Sequence, residues 1–190
     1  MIYVKTEQIK QQLKQILSPP RFLHSLAVSR VAADLAERYG TDAAQAGLAG
    51  LLHDCARDMT AAELGQLVRD LALDVDKVEM QVPALLHAPV GAALLPQRYG
   101  IDDPDICRAV RWHTVGTTPM TLLDKVVYLA DYIEPGRQFP GVDNIRDMAG
   151  IDLDRALLTA LEQSIEYIGQ RGGVIHPGTL QCRDGLLRAN

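Results

Sequence analysis

The chain carries five histidines, and four of them fall where an unpartnered imidazole is costly. His24 lies on an apolar stripe with Val28, Val31 and Leu35, at i, i+4, i+7 and i+11. His53 and Asp54 adjoin at a helix end. His87 follows Leu85-Leu86, His113 closes the run Arg111-Trp112-His113-Thr114, and Asp131 sits on the apolar segment Leu122–Ile133. Any one of these is unremarkable: a single buried histidine is usually a hydrogen-bonded core residue, and a lone His-Asp dipeptide is close to chance at this composition. The set is more informative. Each member stands at the end or inner face of a separate helical segment, so one bundle core can bring them together. Imidazole and carboxylate donors together suit Zn, Fe, Mn or Co rather than Ca or Mg alone.

The elements that must position these groups are punctuated by Pro and Gly. Ser18-Pro19-Pro20 separates a first polar helix, about Glu7–Leu17, from a long one, about Pro20–Tyr39, that stops at Gly40. Thr41 or Asp42 caps a helix from Ala43 to about His53 or Cys55. Its small residues (Ala43, Ala44, Ala46, Gly47, Ala49, Gly50) permit close packing. Thr60-Ala61-Ala62-Glu63 is a capping-box pattern that starts a helix to about Leu71. Pro83 opens a short turn, and Pro89 to about Tyr99 is helical, stopped by Gly100. Further helices are predicted from Asp103-Pro104 to Trp112-His113, from Thr118-Pro119 to about Ile133, from Asp152 to about Ile168, and from about Thr179 to Leu187. With no convincing strand, the reading is a compact all-α, multi-helix bundle. It is taken as one domain over 1–190, with an N-terminal helix extension (1–18), a metal-binding core (20–135) and C-terminal helices (150–190).

Composition supports this and excludes other classes. The chain has 190 residues, 47% of them apolar but only 5% aromatic. It is rich in the helix formers Leu and Ala and long enough to bury roughly 70% of its unfolded surface. The net charge of -5 argues against a dedicated nucleic-acid binder. No apolar run approaches the ~18 residues that span a bilayer, and the first residues lack a signal-peptide pattern. Cys55, Cys107 and Cys182 form no CxxC pair and fit free thiols in a reducing cytoplasm. There is no GxGxxG after a strand, Walker A, HExxH or GxSxG motif.

The order His24, His53-Asp54, Asp131 resembles the HD-domain metal-dependent phosphohydrolases. Longer strings narrow this. Phe22-Leu23-His24-Ser25, Leu51 to Asp58, Leu86-His87-Ala88-Pro89-Val90-Gly91-Ala92, Arg111 to Gly116 and the run Leu123 to Arg137 are together similar to the bacterial YqeK family of symmetrical diadenosine tetraphosphate hydrolases. The resemblance covers about Pro20 to the C-terminus. It departs at Cys55, where the family often has an aromatic residue, at Arg57, where Lys is common, and at Thr117, where a basic residue is common.

The resemblance implies an HD-type fold and two metal ions. His24, His53, Asp54 and Asp131 would hold one, and His87 and His113 the second, with Asp54 bridging. The family's expected metal is iron, though the donor types suit Mn, Co or Zn as well. The implied activity is hydrolysis of diadenosine tetraphosphate to two ADP by metal-activated hydroxide. Asp54, Arg57 and Lys125 are the implied catalytic residues, and Arg57, Thr114, Lys125 and Arg137 the implied phosphate contacts. Asp124, at i, i+7 with Asp131, is a candidate to orient a ligand histidine. Each has a plainer reading: an Arg57–Asp58 ion pair, a solvated Lys125, a capping Thr114. Trp112 and Tyr128 could stack on adenine, but their apolar context favours the core. His176 reads as part of a structural turn, and Cys55 as a packed, inert thiol. The implied partner is a small-molecule dinucleoside polyphosphate, with no nucleic acid and no membrane, and the resemblance admits a homodimer. Two alternatives stay open: an HD phosphohydrolase for a nucleoside monophosphate, dNTP or alarmone, and a non-catalytic metal-binding scaffold.

Overall fold

A computed structural model describes residues 2–189. Among them the chain forms eleven α-helices and no strand. These are α1 (Ile2–Ile16), α2 (Pro19–Tyr39), α3 (Ala43–Leu52), α4 (Ala61–Asp70), α5 (Lys77–Gln81), α6 (His87–Leu94), α7 (Pro104–Trp112), α8 (Leu122–Ile133), α9 (Val142–Ala149), α10 (Leu153–Gln170) and α11 (Pro177–Ala189). A 3-10 turn over Pro83–Leu86 leads into α6, and a wider π-type turn over Leu95–Tyr99 follows it.

Local chemistry sets most boundaries. Gly40 and Gly100 end their helices in left-handed conformation, with φ of 77° and 62°, which only glycine adopts without strain. Thr60 and Glu63 make the expected reciprocal cap of α4. Three expectations need correction. α1 begins at Ile2 rather than near Glu7. α8 begins at Leu122 rather than at Thr118-Pro119, because Thr121 and Asp124 form the capping box: Asp124 N–H donates to Thr121 Oγ1 at 3.1 Å, and Thr121 N–H to Asp124 Oδ2 at 2.8 Å. The short helices α5 and α9 were not foreseen. α5 rests on an Asp76–Glu79 capping box, too brief a pattern to stand out by period.

The packing that matters most is α2 on α3. A Cβ added at Gly50 would meet the Val28 carbonyl oxygen at 3.0 Å and the Ala32 Cβ at 3.1 Å. The two helices therefore touch backbone to backbone, which the run of small residues on α3 allows. α7 and α8 close the bundle around them. The main core buries Val28, Ala32, Leu51, Leu52, Val110, Val126 and Leu129, and α1 adds Ile9 and Leu13 to it, with Leu17 just past its end. A fully buried Leu or Val contributes roughly 1.5–3 kcal/mol. Two smaller clusters flank this core. One lies under α4 and α6 (Leu64, Val68, Val90, Leu94), and the other joins α8, α10 and α11 (Tyr128, Leu157, Leu161, Cys182). No helix is long and apolar enough to cross a membrane among the described residues.

Candidate metal centre

The close contact of α2 and α3 brings His24, in mid-helix, beside His53, the residue that caps α3. Their Nε2 atoms are 3.2 Å apart. Asp54 follows His53 inward. Asp131 reaches the same point from the last turn of α8, with Oδ1 3.0 Å from His24 Nε2. On the other side, His87 begins α6 and His113 caps α7, and their Nε2 atoms lie 3.1 Å apart. All six residues expected as ligands thus converge.

Asp54 divides its two oxygens between the two halves. Oδ2 lies 3.4 Å from His53 Nε2 and 3.8 Å from His24 Nε2. Oδ1 lies 3.1 Å from His87 Nε2 and 3.7 Å from His113 Nε2. One carboxylate therefore faces two pairs of nitrogen donors, which adjoin where the His53 and His113 rings meet edge to face at 4.9 Å.

Hydrogen bonds on the outer nitrogens assign the tautomers. Nδ1 of His53, His87 and His113 each donates to the carbonyl three residues earlier: Gly50 at 2.7 Å, Ala84 at 2.6 Å and Val110 at 2.7 Å. His24 Nδ1 faces Glu134 Oε1 at 3.1 Å. With a proton on every Nδ1, every Nε2 points a lone pair inward. Four ring nitrogens and two carboxylates then converge, and the side-chain donors that reach them from outside are the guanidinium groups of Arg21 and Arg137. A cation satisfies that arrangement, so the residues fit a metal centre.

The electrostatics agree. Burial pulls the His53 imidazole down, but Asp54, Asp131 and the Gly50 carbonyl outweigh it and raise it to about 8. Burial would push the Asp54 carboxyl up, yet His53, His113 and His87 hold it well below the usual carboxylate range. Asp131 is likewise lowered against its burial, by His24, His53 and Arg137. His113 is lowered, chiefly by burial. The position favours positive charge, and two acidic groups there stay ionised.

Access is one-sided. His53, Asp54, His87 and His113 are buried, whereas the Asp131 side chain keeps 21% of its surface exposed. Arg137 stands on that open side. It bonds the Asp131 carboxylate and donates from Nε to the Asp131 main-chain oxygen at 2.8 Å.

The remaining expected residues divide. Arg57 does not pair with Asp58, whose carboxylate accepts the Ser18 N–H at 2.7 Å. Instead Arg57 Nη1 donates at 3.3 Å to the Ala84 carbonyl, the one that orients His87. Thr114 Oγ1 is buried beside His113 without a partner. Lys125, expected among the catalytic groups, is drawn away. Its Nζ bonds both oxygens of Asp154 on α10, at 2.6 and 2.8 Å. Six residues along a helix turn through about 240°, so Lys125 and Asp131 leave α8 on different faces. Asp124 orients no histidine; it caps α8 and pairs with Arg108 Nε at 2.8 Å.

Two residues were missed. Arg21 Nη1 lies 2.6 Å from Asp54 Oδ2, and Glu134 holds His24. Both were legible as helical neighbours, at i-3 from His24 and i+3 from Asp131. Cys55 is buried with its thiol pushed up to about 12 by burial and by Asp54. Gly91 packs closely against it: a Cβ there would come 3.2 Å from Cys55 Sγ. A second acidic group, Asp76, Glu79 and His176, is already neutralised. Arg111 grips Glu79 at 2.7 and 2.9 Å, and His176 Nε2 lies 2.7 Å from Asp76 Oδ2. α11 steadies the segment after His113, through Thr179 Oγ1 to the Val115 carbonyl and Cys182 Sγ to that of Thr117.

This helical bundle, with histidines and aspartates gathered from five helices, defines a class. Residues 21–136 match the HD domain. The protein from Bacillus subtilis (strain 168) named "Bis(5'-nucleosyl)-tetraphosphatase, symmetrical" is 39% identical over 175 residues, covering 92% of this chain and 94% of its own. The protein of the same name from Staphylococcus aureus is 36% identical over 178 residues, covering 93% and 91%. A crystal structure from Clostridium acetobutylicum, of an HD superfamily hydrolase described as involved in NAD metabolism, superimposes with a TM-score of 0.94. It is 36% identical and covers 97% of this chain and 98% of its own. The chain belongs to the HD-domain family, in the branch of these symmetrical tetraphosphatases, and its His/Asp cluster is suited to divalent metal.

Proposed function

We propose that the protein hydrolyses diadenosine tetraphosphate symmetrically to two ADP, using two metal ions, iron being the first candidate. The observation that carries this is the division of Asp54, with Oδ2 toward His24 and His53 and Oδ1 toward His87 and His113. When bound, two such ions supply Lewis acidity and lower the pKa of a coordinated water toward neutrality.

The chain's own residues do the rest. The main-chain carbonyls of Gly50, Ala84 and Val110 and the Glu134 carboxylate fix four imidazoles, so the donors need no reorganisation as metal binds. Arg137 and Arg21 stand beside the cluster and Arg57 beside His87, a distribution that offsets phosphate charge despite a net charge of -5. The unpartnered Thr114 hydroxyl is available to a phosphate oxygen. Water oxygen joins one of the two central phosphorus atoms, the bridging oxygen leaves with the other ADP, and the two protons of the water pass to solvent as both new terminal phosphates ionise. The division between chain halves follows from the substrate: cleavage at the central bridge gives equal products.

The test is product analysis. Protein loaded anaerobically with Fe²⁺, or with Mn²⁺, is incubated with diadenosine tetraphosphate and the products are separated by chromatography. ADP alone is expected. ATP with AMP, or no turnover with either metal, overturns the reading.

A further inference from the structure

Three groups on one side of the metal centre come from a single short stretch of chain. They are the Asp131 carboxylate, Glu134 facing His24 Nδ1 at 3.1 Å, and Arg137 bonded to Asp131. Glu134 to Arg137 lie past the end of α8, where main-chain carbonyls have no partner within the helix. The last turn of α8 carries no basic side chain of its own. The missing cation comes from α9. Arg146 Nε donates to the Ile133 carbonyl, and Nη2 donates to those of Glu134 and Arg137, each at 2.8 Å. Its Nη1 donates to Asp143 Oδ1 at 2.7 Å. The far end of α9 is tied to α2, the helix that carries His24. There Arg38 Nη1 and the Tyr39 hydroxyl donate to the Gly150 and Ala149 carbonyls, at 2.8 Å each.

We propose that Arg146 is a positioning residue of the metal centre. By fastening three carbonyls of the 133–137 turn, it sets where Glu134 holds the His24 imidazole and where Arg137 meets Asp131. The assignment rests on the reading of the cluster as a two-metal centre and adds what keeps its His24 side in place.

Three features carry it. The first is an asymmetry among the histidines. Nδ1 of His53, His87 and His113 each bonds a carbonyl three residues earlier, so the orientation of those rings is set locally. His24 Nδ1 instead meets a side chain 110 residues away, and its orientation depends on the turn that presents Glu134. The second feature is how fully that turn is determined. The Gly136 N–H donates to Glu134 Oε2 at 2.6 Å, which leaves Oε1 toward His24. A Cβ at Gly136 would come 2.9 Å from Glu134 Oε1, so a larger residue would disturb the carboxylate. The Arg137 N–H closes the turn on the Glu134 carbonyl at 2.9 Å. The third is the match of the guanidinium to its acceptors. A planar fork with five N–H donors spans three carbonyls at once, whereas an ammonium offers its three donors from one atom. The positive charge also complements the carbonyl end of α8. A cation on α9 thus connects the frame of α2 to the turn that orients the α2 histidine.

The experiment is calorimetric titration of Mn²⁺ into the chelator-stripped full chain, with the melting temperature of each protein recorded. It compares the native protein with Arg146→Met, Arg146→Lys and Ile145→Val. Ile145 is the neighbouring α9 residue, buried in the main core. Its truncation is expected to lower the melting temperature by about 3 °C and so controls for loss of stability alone. Arg146→Met is expected to weaken one Mn²⁺ about tenfold, as loss of an outer support of a ligand histidine does, and to leave the other within about twofold. Arg146→Lys, which keeps the charge but reaches fewer carbonyls, is expected to lose about fivefold, and it carries the comparison by itself should Arg146→Met not fold. Mn²⁺ affinity within about twofold of native in the folded Arg146 variants, an equal loss at both ions, or the same loss in Ile145→Val overturns the positioning role. The activity reading is separable. If the native protein yields no ADP from diadenosine tetraphosphate yet binds Mn²⁺ in an Arg146-dependent way, the proposed reaction fails and the role of Arg146 stands. If ADP is produced and Mn²⁺ affinity is indifferent to Arg146, the positioning role alone fails.

Discussion

Arg21 Nη1 lies 2.6 Å from Asp54 Oδ2, the same carboxylate oxygen that faces His53 and His24. A guanidinium thus stands where the first half of the cluster calls for positive charge. When metal is removed, Arg21 offsets part of the Asp54 charge; when metal is present, that contribution is largely redundant. Arg21→Met is therefore expected to lower the melting temperature of chelator-treated protein by about 3 °C and to change that of Mn²⁺-loaded protein by less than about 1 °C. Differential scanning calorimetry with and without chelator checks this, and equal losses in both forms would contradict it.

Asp54 divides its two carboxylate oxygens between the halves, so its loss is expected to be the most damaging to metal content. Elemental analysis of anaerobically purified Asp54→Ala should fall toward zero metal per chain. His113→Ala, which removes a donor from the Oδ1 half, should retain about one of two ions. Two metals retained in Asp54→Ala would remove its bridging role.

The raised proton affinity of His53 predicts a pH dependence confined to the metal-free protein. Its pKa in the folded chain is about 8 against an ordinary 6.5. The folded state therefore holds the proton more tightly than the unfolded one. The stability this confers is complete below about pH 6.5 and is lost as pH rises through about 8. Chelator-treated protein should melt on the order of 5 °C lower at pH 9 than at pH 6. Replacing His53 with Gln should flatten that difference.

Lys125 tests the separation between the centre and the α8–α10 contact. Its ammonium is paired with Asp154, and both side chains are partly exposed, so the pair is worth at most about 1 kcal/mol. Lys125→Met is expected to keep kcat/KM for diadenosine tetraphosphate within about twofold and to lower the melting temperature by about 2 °C or less. A kcat loss of about 100-fold or more at unchanged melting temperature would return Lys125 to the chemistry.

Much of this protein was legible before its structure. Helix content follows from Leu and Ala abundance, and stops such as Gly40 and caps such as Thr60 act within one turn, so local sequence determines them. The six convergent residues were also readable, as a set spread over separate helical segments and through the family resemblance, although no one of them stood out by type. The short helices α5 and α9 escaped, since two turns carry too little period. What tertiary structure alone decided is direction. A helix presents side chains all round its axis, and neighbours choose among them: Asp154 on α10 took Lys125, and Arg108 took Asp124. Likewise Arg21 and Glu134 join the centre because α2, α3 and α8 meet there, with Gly50 letting α2 and α3 come into backbone contact. The division of Asp54 between two sets of histidines is of this second kind. Donor identity lies in the sequence, but which oxygen faces which nitrogen depends on distances of 3–4 Å set by how five helices pack.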